Sequence, residues 1–129
     1  MRKTIKELSV DVYNNAVSKG WYDNGAACNM GERIALIHAE VSEMLEADRN
    51  SEYCDRSTEA LQSMMLHDDD KFKEMFEVLV KGTFEEELAD VVIRCLDMAA
   101  FKKIDLEHHI LCKMRYNTLR PIRHGGKKY

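Results

Sequence analysis

One proline and six glycines among 129 residues leave this chain almost without helix breakers, so its long stretches of Glu, Lys, Leu, Ala and Met have little to stop them coiling. That scarcity is the tightest constraint on the fold, and it predicts an all-α protein. The one proline, Pro121, stands late enough to close a last helix without interrupting an earlier one. With 45% hydrophobic and 33% charged residues, the length suits one compact domain with an ordinary core.

Apolar periodicity and capping residues divide the chain. Ile5, Leu8, Val12 and Ala16 recur at helical spacing, predicting a first helix from about Thr4 to Lys19 that stops at Gly20. Two Gly and two Asn between Trp21 and Gly31 predict a loop that exposes Trp21 and Tyr22. A second helix is expected from about Glu32 to Arg49, with Ile34, Ile37, Val41, Met44 and Leu45 as its apolar stripe. Residues 51–81 read as an insertion with short helices near Thr58–Leu66 and Lys71–Val80, parted by the acidic corner at 67–70. Thr83 and Glu86 match a capping box that starts a third helix running to about Lys103. Asp105 can cap a fourth helix ending near Leu119. The expected architecture is a four-helix-bundle-like core over residues 1–121, with 51–81 inserted between the second and third core helices and 122–129 as a flexible basic tail.

Several classes are excluded or disfavoured. No apolar run approaches the roughly 18 residues of a membrane span, and Met1 to Glu7 lacks the apolar stretch of a signal peptide. A cytoplasmic protein with no membrane partner is expected. Cys28, Cys54, Cys95 and Cys112 form no Cys-x-x-Cys pair and read as free thiols. A net charge of −4 disfavours a stable nucleic-acid partner, although Lys113, Arg115, Arg120, Arg123, Lys127 and Lys128 gather late in the chain.

The most informative residues are acids on faces that ought to be apolar. At roughly 100° per residue, Glu40 and Glu43 lie about 60° apart and share their side of the second helix with Leu36, Ile37, Met44 and Ala47. Glu87 and Asp90 repeat the pattern on the third helix, among Phe84, Val91, Met98 and Phe101, while Glu85 and Glu86 are expected to point elsewhere. Converging carboxylates raise one another's pKa and are costly in a core, so a divalent cation or a network with Lys and Arg must compensate them. Oxygen-only ligation suits Mg²⁺ or Mn²⁺ better than zinc or copper. A di-iron bundle would need Glu-x-x-His, and no Glu here has a His three residues on.

Glu40-x-x-Glu43 followed by Glu87-Leu-Ala-Asp90 resembles the paired acidic motifs of the MazG-like branch of the all-α nucleoside triphosphate pyrophosphohydrolases. Lys19-Gly20-Trp21 is similar to the loop before the first acidic helix of such proteins, and Lys113-x-x-x-Asn117-x-x-Arg120 to their closing helix. The likeness spans most of the chain except 51–81 and the tail; the spacer between the acidic pairs is longer than usual, and Ala39 stands where many members carry a further Glu. The resemblance implies Mg²⁺-dependent hydrolysis of a nucleoside triphosphate to the monophosphate and pyrophosphate, with Glu40, Glu43, Glu87 and Asp90 as metal-holding catalytic residues. It also implies a homo-oligomer, a dimer or a tetramer.

Lys113, Asn117 and Arg120 fall within about 60° on the fourth helix, with His109 near them, and such a stripe can grip phosphates. Trp21, the sole tryptophan, could stack on a nucleobase or plug the loop against the bundle; Tyr22 is the second candidate. Two other readings stand beside this one: a non-catalytic helical interaction module whose acids meet basic partners, and a phosphohydrolase acting on a different nucleotide.

Overall fold

A computed structural model describes residues 2–23 and 29–129, the side chain of His124 excepted. Its secondary structure is helical throughout, with no strand among the described residues. The helices are α1 (Ile5–Ser18), α2 (Met30–Arg49), α3 (Thr58–Met64), α4 (Asp69–Leu79), α5 (Phe84–Phe101) and α6 (Leu106–Thr118), followed by a single turn, α7 (Arg123–Gly126). The chain divides into two compact units, Asn29–Cys95 and residues 2–23 with 96–129, so that α5 lends its first turns to one and its last to the other.

Local signals account for most boundaries. Thr4 and Glu7 form a reciprocal capping box at the start of α1. Gly20, at φ 86°, ends the helix: Gly20 N–H donates to Val17 O at 3.1 Å and Trp21 N–H to Ala16 O at 3.1 Å, the paired bonds of a Schellman stop. A Cβ on Gly20 would sit 2.9 Å from an Asp23 carboxylate oxygen, a second reason for glycine there. The same stop ends α2 without glycine, since Ser51 takes φ 55° and Glu52 N–H reaches Ala47 O at 2.9 Å. Met30 and Gly31, expected in the loop, are helical because Asn29 serves as an N-cap, accepting from Glu32 N–H at 3.2 Å. The tail, expected to be irregular, makes the turn α7 with positive φ at Arg123, Gly125 and Gly126.

In the unit Asn29–Cys95, Ala47, Met64 and Val80 are buried, and Tyr53 stacks on Phe84 with ring centroids 5.1 Å apart. The start of α5 is tied to residues 52–54: Phe84 N–H donates to Glu52 O at 2.8 Å, and the Glu85 carboxylate accepts from Cys54 N–H at 2.7 Å. Thr83 accepts from Glu86 N–H at 3.3 Å as a cap should, but the Glu86 carboxylate reaches back to Gly82 N–H, because Thr83 N–H is already spent on Val80 O. The α2 stripe predicted as one apolar face is split. Ile34, Val41 and Leu45 are exposed, whereas Leu36, Ile37, Met44 and Ala47 turn inward with Glu40.

In the other unit α1 packs against α6, and Lys6 N–H donates to the Glu107 carboxylate at 3.2 Å. Ser9 is buried and its hydroxyl donates to Leu96 O at 2.6 Å, while Leu8 of the predicted stripe is exposed. Tyr22 is the plug of the two roles considered: it stacks on Phe101 at 5.0 Å and leans on Tyr13 at 5.0 Å. Cys54, Cys95 and Cys112 are free thiols, and Cys28 lies outside the described residues. No helix among the described residues is long and apolar enough to cross a membrane.

Candidate metal centre

Glu40 lies in the middle of α2, and Glu87 and Asp90 follow one another by a turn near the start of α5. All three residues belong to the unit Asn29–Cys95. Anchoring 52–54 to the first turn of α5 fixes where that helix begins, and its i, i+3 spacing then presents Glu87 and Asp90 on one side. Glu40 and Glu87 are each only 9% exposed, a degree of burial that ionised carboxylates do not reach without compensation.

One carboxylate oxygen from each of Glu40, Glu87 and Asp90 lies within 4.8 Å of the other two. Around Mg²⁺, with oxygens about 2.1 Å from the ion, ligand oxygens stand about 3.0 Å apart when adjacent and about 4.2 Å apart when opposite, so seating an ion among the three would draw them together. The donor set is all oxygen, which suits a hard cation better than zinc or copper.

Burial, followed by the charges of Glu43, Glu86, Asp90 and Glu40, pushes the Glu87 carboxyl up to about 7. Asp90 is raised as well, by burial first and then by Glu40 and Glu86, against the opposing pull of Arg94. Among the described residues Glu40 is the one of the three in an ion pair: Arg94 Nε donates to Glu40 Oε1 at 2.6 Å. Among the described residues no hydrogen-bond donor reaches the Glu87 carboxylate, although that residue is nine-tenths buried. A buried acid without a donor, facing two other acids, is the arrangement a divalent cation relieves.

Of the four acids expected to converge, Glu43 is not in this group; it is exposed, and reaches the others through its charge on Glu87 and Asp90. Glu86, expected to point away, is near enough to raise both. Arg94 was missed by the reading of the sequence, yet its position four residues after Asp90 and seven after Glu87 puts it on their face.

The expected substrate-binding residues lie in the other unit. Trp21 is 62% exposed, at the turn after α1. On α6, Lys113 and Asn117 are exposed and Arg120 is half-buried. Lys113 Nζ lies 4.8 Å and Arg120 Cζ 5.8 Å from the Tyr116 ring centre, so a second residue that sequence reasoning passed over, Tyr116, gathers the two cations. A groove of about 350 Å³ in the same unit, lined by Ser9, Tyr13, Ile104 and Leu106 among others, holds none of these residues. Comparison with protein-family models, with curated proteins and with solved structures finds no match to this chain.

Proposed function

We propose that this chain is a Mg²⁺-dependent nucleoside triphosphate pyrophosphohydrolase of the all-α, MazG-like kind, with Mn²⁺ as a possible substitute ion. The observation that carries the reading is the convergence of Glu40, Glu87 and Asp90, from two helices and with Glu40 and Glu87 buried, so that one oxygen of each lies within 4.8 Å of the others. Those three residues hold the ion. When bound, a divalent ion offsets triphosphate charge and lowers the pKa of water.

The chain's own residues supply the rest. Glu43 is exposed beside the other three acids, and we assign it the acceptance of a proton from the attacking water. Contacts with phosphate and base are the roles that the resemblance implies for Lys113, Asn117, Arg120 and Trp21, which belong to the other unit, where Lys113 and Arg120 both lie against the Tyr116 ring. The bond broken lies between the α and β phosphates, and the products are the nucleoside monophosphate and pyrophosphate.

Exposure of Ile34, Val41 and Leu45 along α2 and of Leu88 and Val92 on α5 supports self-association into a homodimer or homotetramer. The same surface is what favours the second reading, a non-catalytic interaction module. Incubation with canonical and modified triphosphates, with and without Mg²⁺, separates them. Monophosphate and pyrophosphate in equal amounts, only with the metal, are the expected products. Orthophosphate in place of pyrophosphate would overturn the bond assignment, and no turnover with any triphosphate would favour the module.

A further inference from the structure

The helix α6 is covered for less than half its length. Its start, tied to α1 through Lys6 and Glu107, keeps Leu106, Glu107 and Ile110 half-buried, whereas every residue from Leu111 to Leu119 is exposed. At about 100° per residue, Leu111, Met114 and Thr118 fall within roughly 60° of one another and carry the stripe of Leu106 and Ile110 onward. A helix this short is marginal in water unless its apolar side is packed, and here that side loses its cover midway. Tyr116, on which Lys113 and Arg120 gather, lies about 160° from Met114, so the bare stripe is a surface separate from that cluster.

Charge decides what fits it. Residues 102–129 carry eight Lys and Arg against two Asp and Glu, and their unit, residues 1–28 with 96–129, carries twelve against six. The unit Asn29–Cys95 carries seven Lys and Arg against seventeen Asp and Glu. A second α6 laid on the first would set like charges against each other, with Lys113 and Arg115 flanking Met114 in both. The unit Asn29–Cys95 has the opposite sign and an apolar stripe of its own on α5, where Leu88 and Val92 are exposed one turn apart and exposed Glu85 lies within about 60° of both. On α6 the matching cation is Arg115, about 40° from Leu111. Both stripes are exposed within the one chain, so the cover comes from another.

We propose that two copies of this chain pair through two identical contacts, in each of which Leu111 and Met114 of α6 seat on Leu88 and Val92 of the partner subunit, with Arg115 beside the partner subunit's Glu85. Each copy gives one α6 and receives one, the closed arrangement of a two-fold axis. This pairing rests on the self-association proposed above and names the surfaces that meet in it, and none of the acids assigned to the metal takes part.

The test is the mass of the full chain in solution, read by light scattering, for the wild type, Met114→Glu, Val92→Glu and an equal mixture of the two variants, with circular dichroism to establish folding. The wild type is expected at twice the 15.0 kDa of one chain and each variant alone at 15.0 kDa. The mixture should recover pairs, because Met114→Glu keeps an intact α5 and Val92→Glu an intact α6, which leaves one of the two contacts whole. About 1 M salt, where charges are screened beyond about 3 Å, should loosen the wild-type pair. A wild type of one chain would overturn the self-association and this pairing together, and its binding to vesicles of anionic lipid would assign the stripe to a membrane instead. A paired wild type that either variant leaves paired, or a mixture that stays as single chains, would overturn the pairing and leave self-association standing. Should either variant fail to fold, Arg115→Glu and Glu85→Arg take their place: each alone should weaken the pair and both in one chain restore it, and a double variant no better paired than the singles would overturn the proposal.

Discussion

At pH 8, Glu87→Gln is expected to lower Mg²⁺-dependent hydrolysis by about 10³-fold and, in chelator, to raise the melting temperature above that of the wild type. The two effects share one cause. With its carboxyl titrating at about 7, Glu87 is mostly ionised at pH 8, buried, without a donor among the described residues, and beside four other acids. A glutamine amide in its place is also buried without an evident partner, which costs about 1–3 kcal/mol. An uncompensated carboxylate costs more, because it combines desolvation with like-charge repulsion. The order should invert when metal is added. An ion present at 100 times its dissociation constant stabilises the wild type by about 2.7 kcal/mol, and the variant gains little. Melting curves of both proteins in chelator and in excess Mg²⁺ check this; a variant less stable in chelator, or equally stabilised by Mg²⁺, would count against the role given to Glu87.

The second large effect is on pH. Glu87 is raised from 4.5 to about 7, so between those values the native state holds a proton that the unfolded chain has released. Protons therefore favour folding across that window, and the stability of the metal-free protein should fall as pH rises from about 4.5 to about 7. Asp90, raised for the same reasons, acts with the same sign. Allowing for solvent around a site open on the Glu43 side, the loss is on the order of 1–2 kcal/mol. Glu7 and Asp105, whose hydrogen bonds at helix starts hold them below the ordinary range, have the opposite sign but act only at lower pH. Binding of Mg²⁺ requires the ionised carboxylates, so the stabilisation it confers should grow over the same interval. Melting temperatures at pH 5, 6, 7 and 8, with chelator and with Mg²⁺, should diverge steadily; parallel curves would mean that the acids titrate independently of any ion.

What the sequence made legible follows from how far each signal reaches. Caps and stops act over three or four residues, and so Gly20, Thr83 and Asp105 locate helix ends from the sequence alone. The acids were legible for a similar reason, since Glu40 and Glu87 interrupt apolar faces that one helix is enough to define. The sequence was silent where the answer depends on the register of one helix against another. Glu40 and Glu43 lie about 60° apart on α2, yet Glu40 is buried and paired with Arg94 of α5 while Glu43 is exposed. Ile34, Val41 and Leu45 are exposed as well. Arg94 was passed over because a cation after an acidic pair looks like a solvated i, i+4 partner, whereas its contact is with Glu40, 54 residues away.

The account stands on three carboxylates holding a divalent ion, and diffraction data collected at an energy where manganese scatters anomalously test it most directly. Crystals grown with Mn²⁺ are expected to show an anomalous peak within about 2.1–2.3 Å of oxygens from Glu40, Glu87 and Asp90. Density without such a peak, at a concentration of Mn²⁺ that supports turnover, would contradict it.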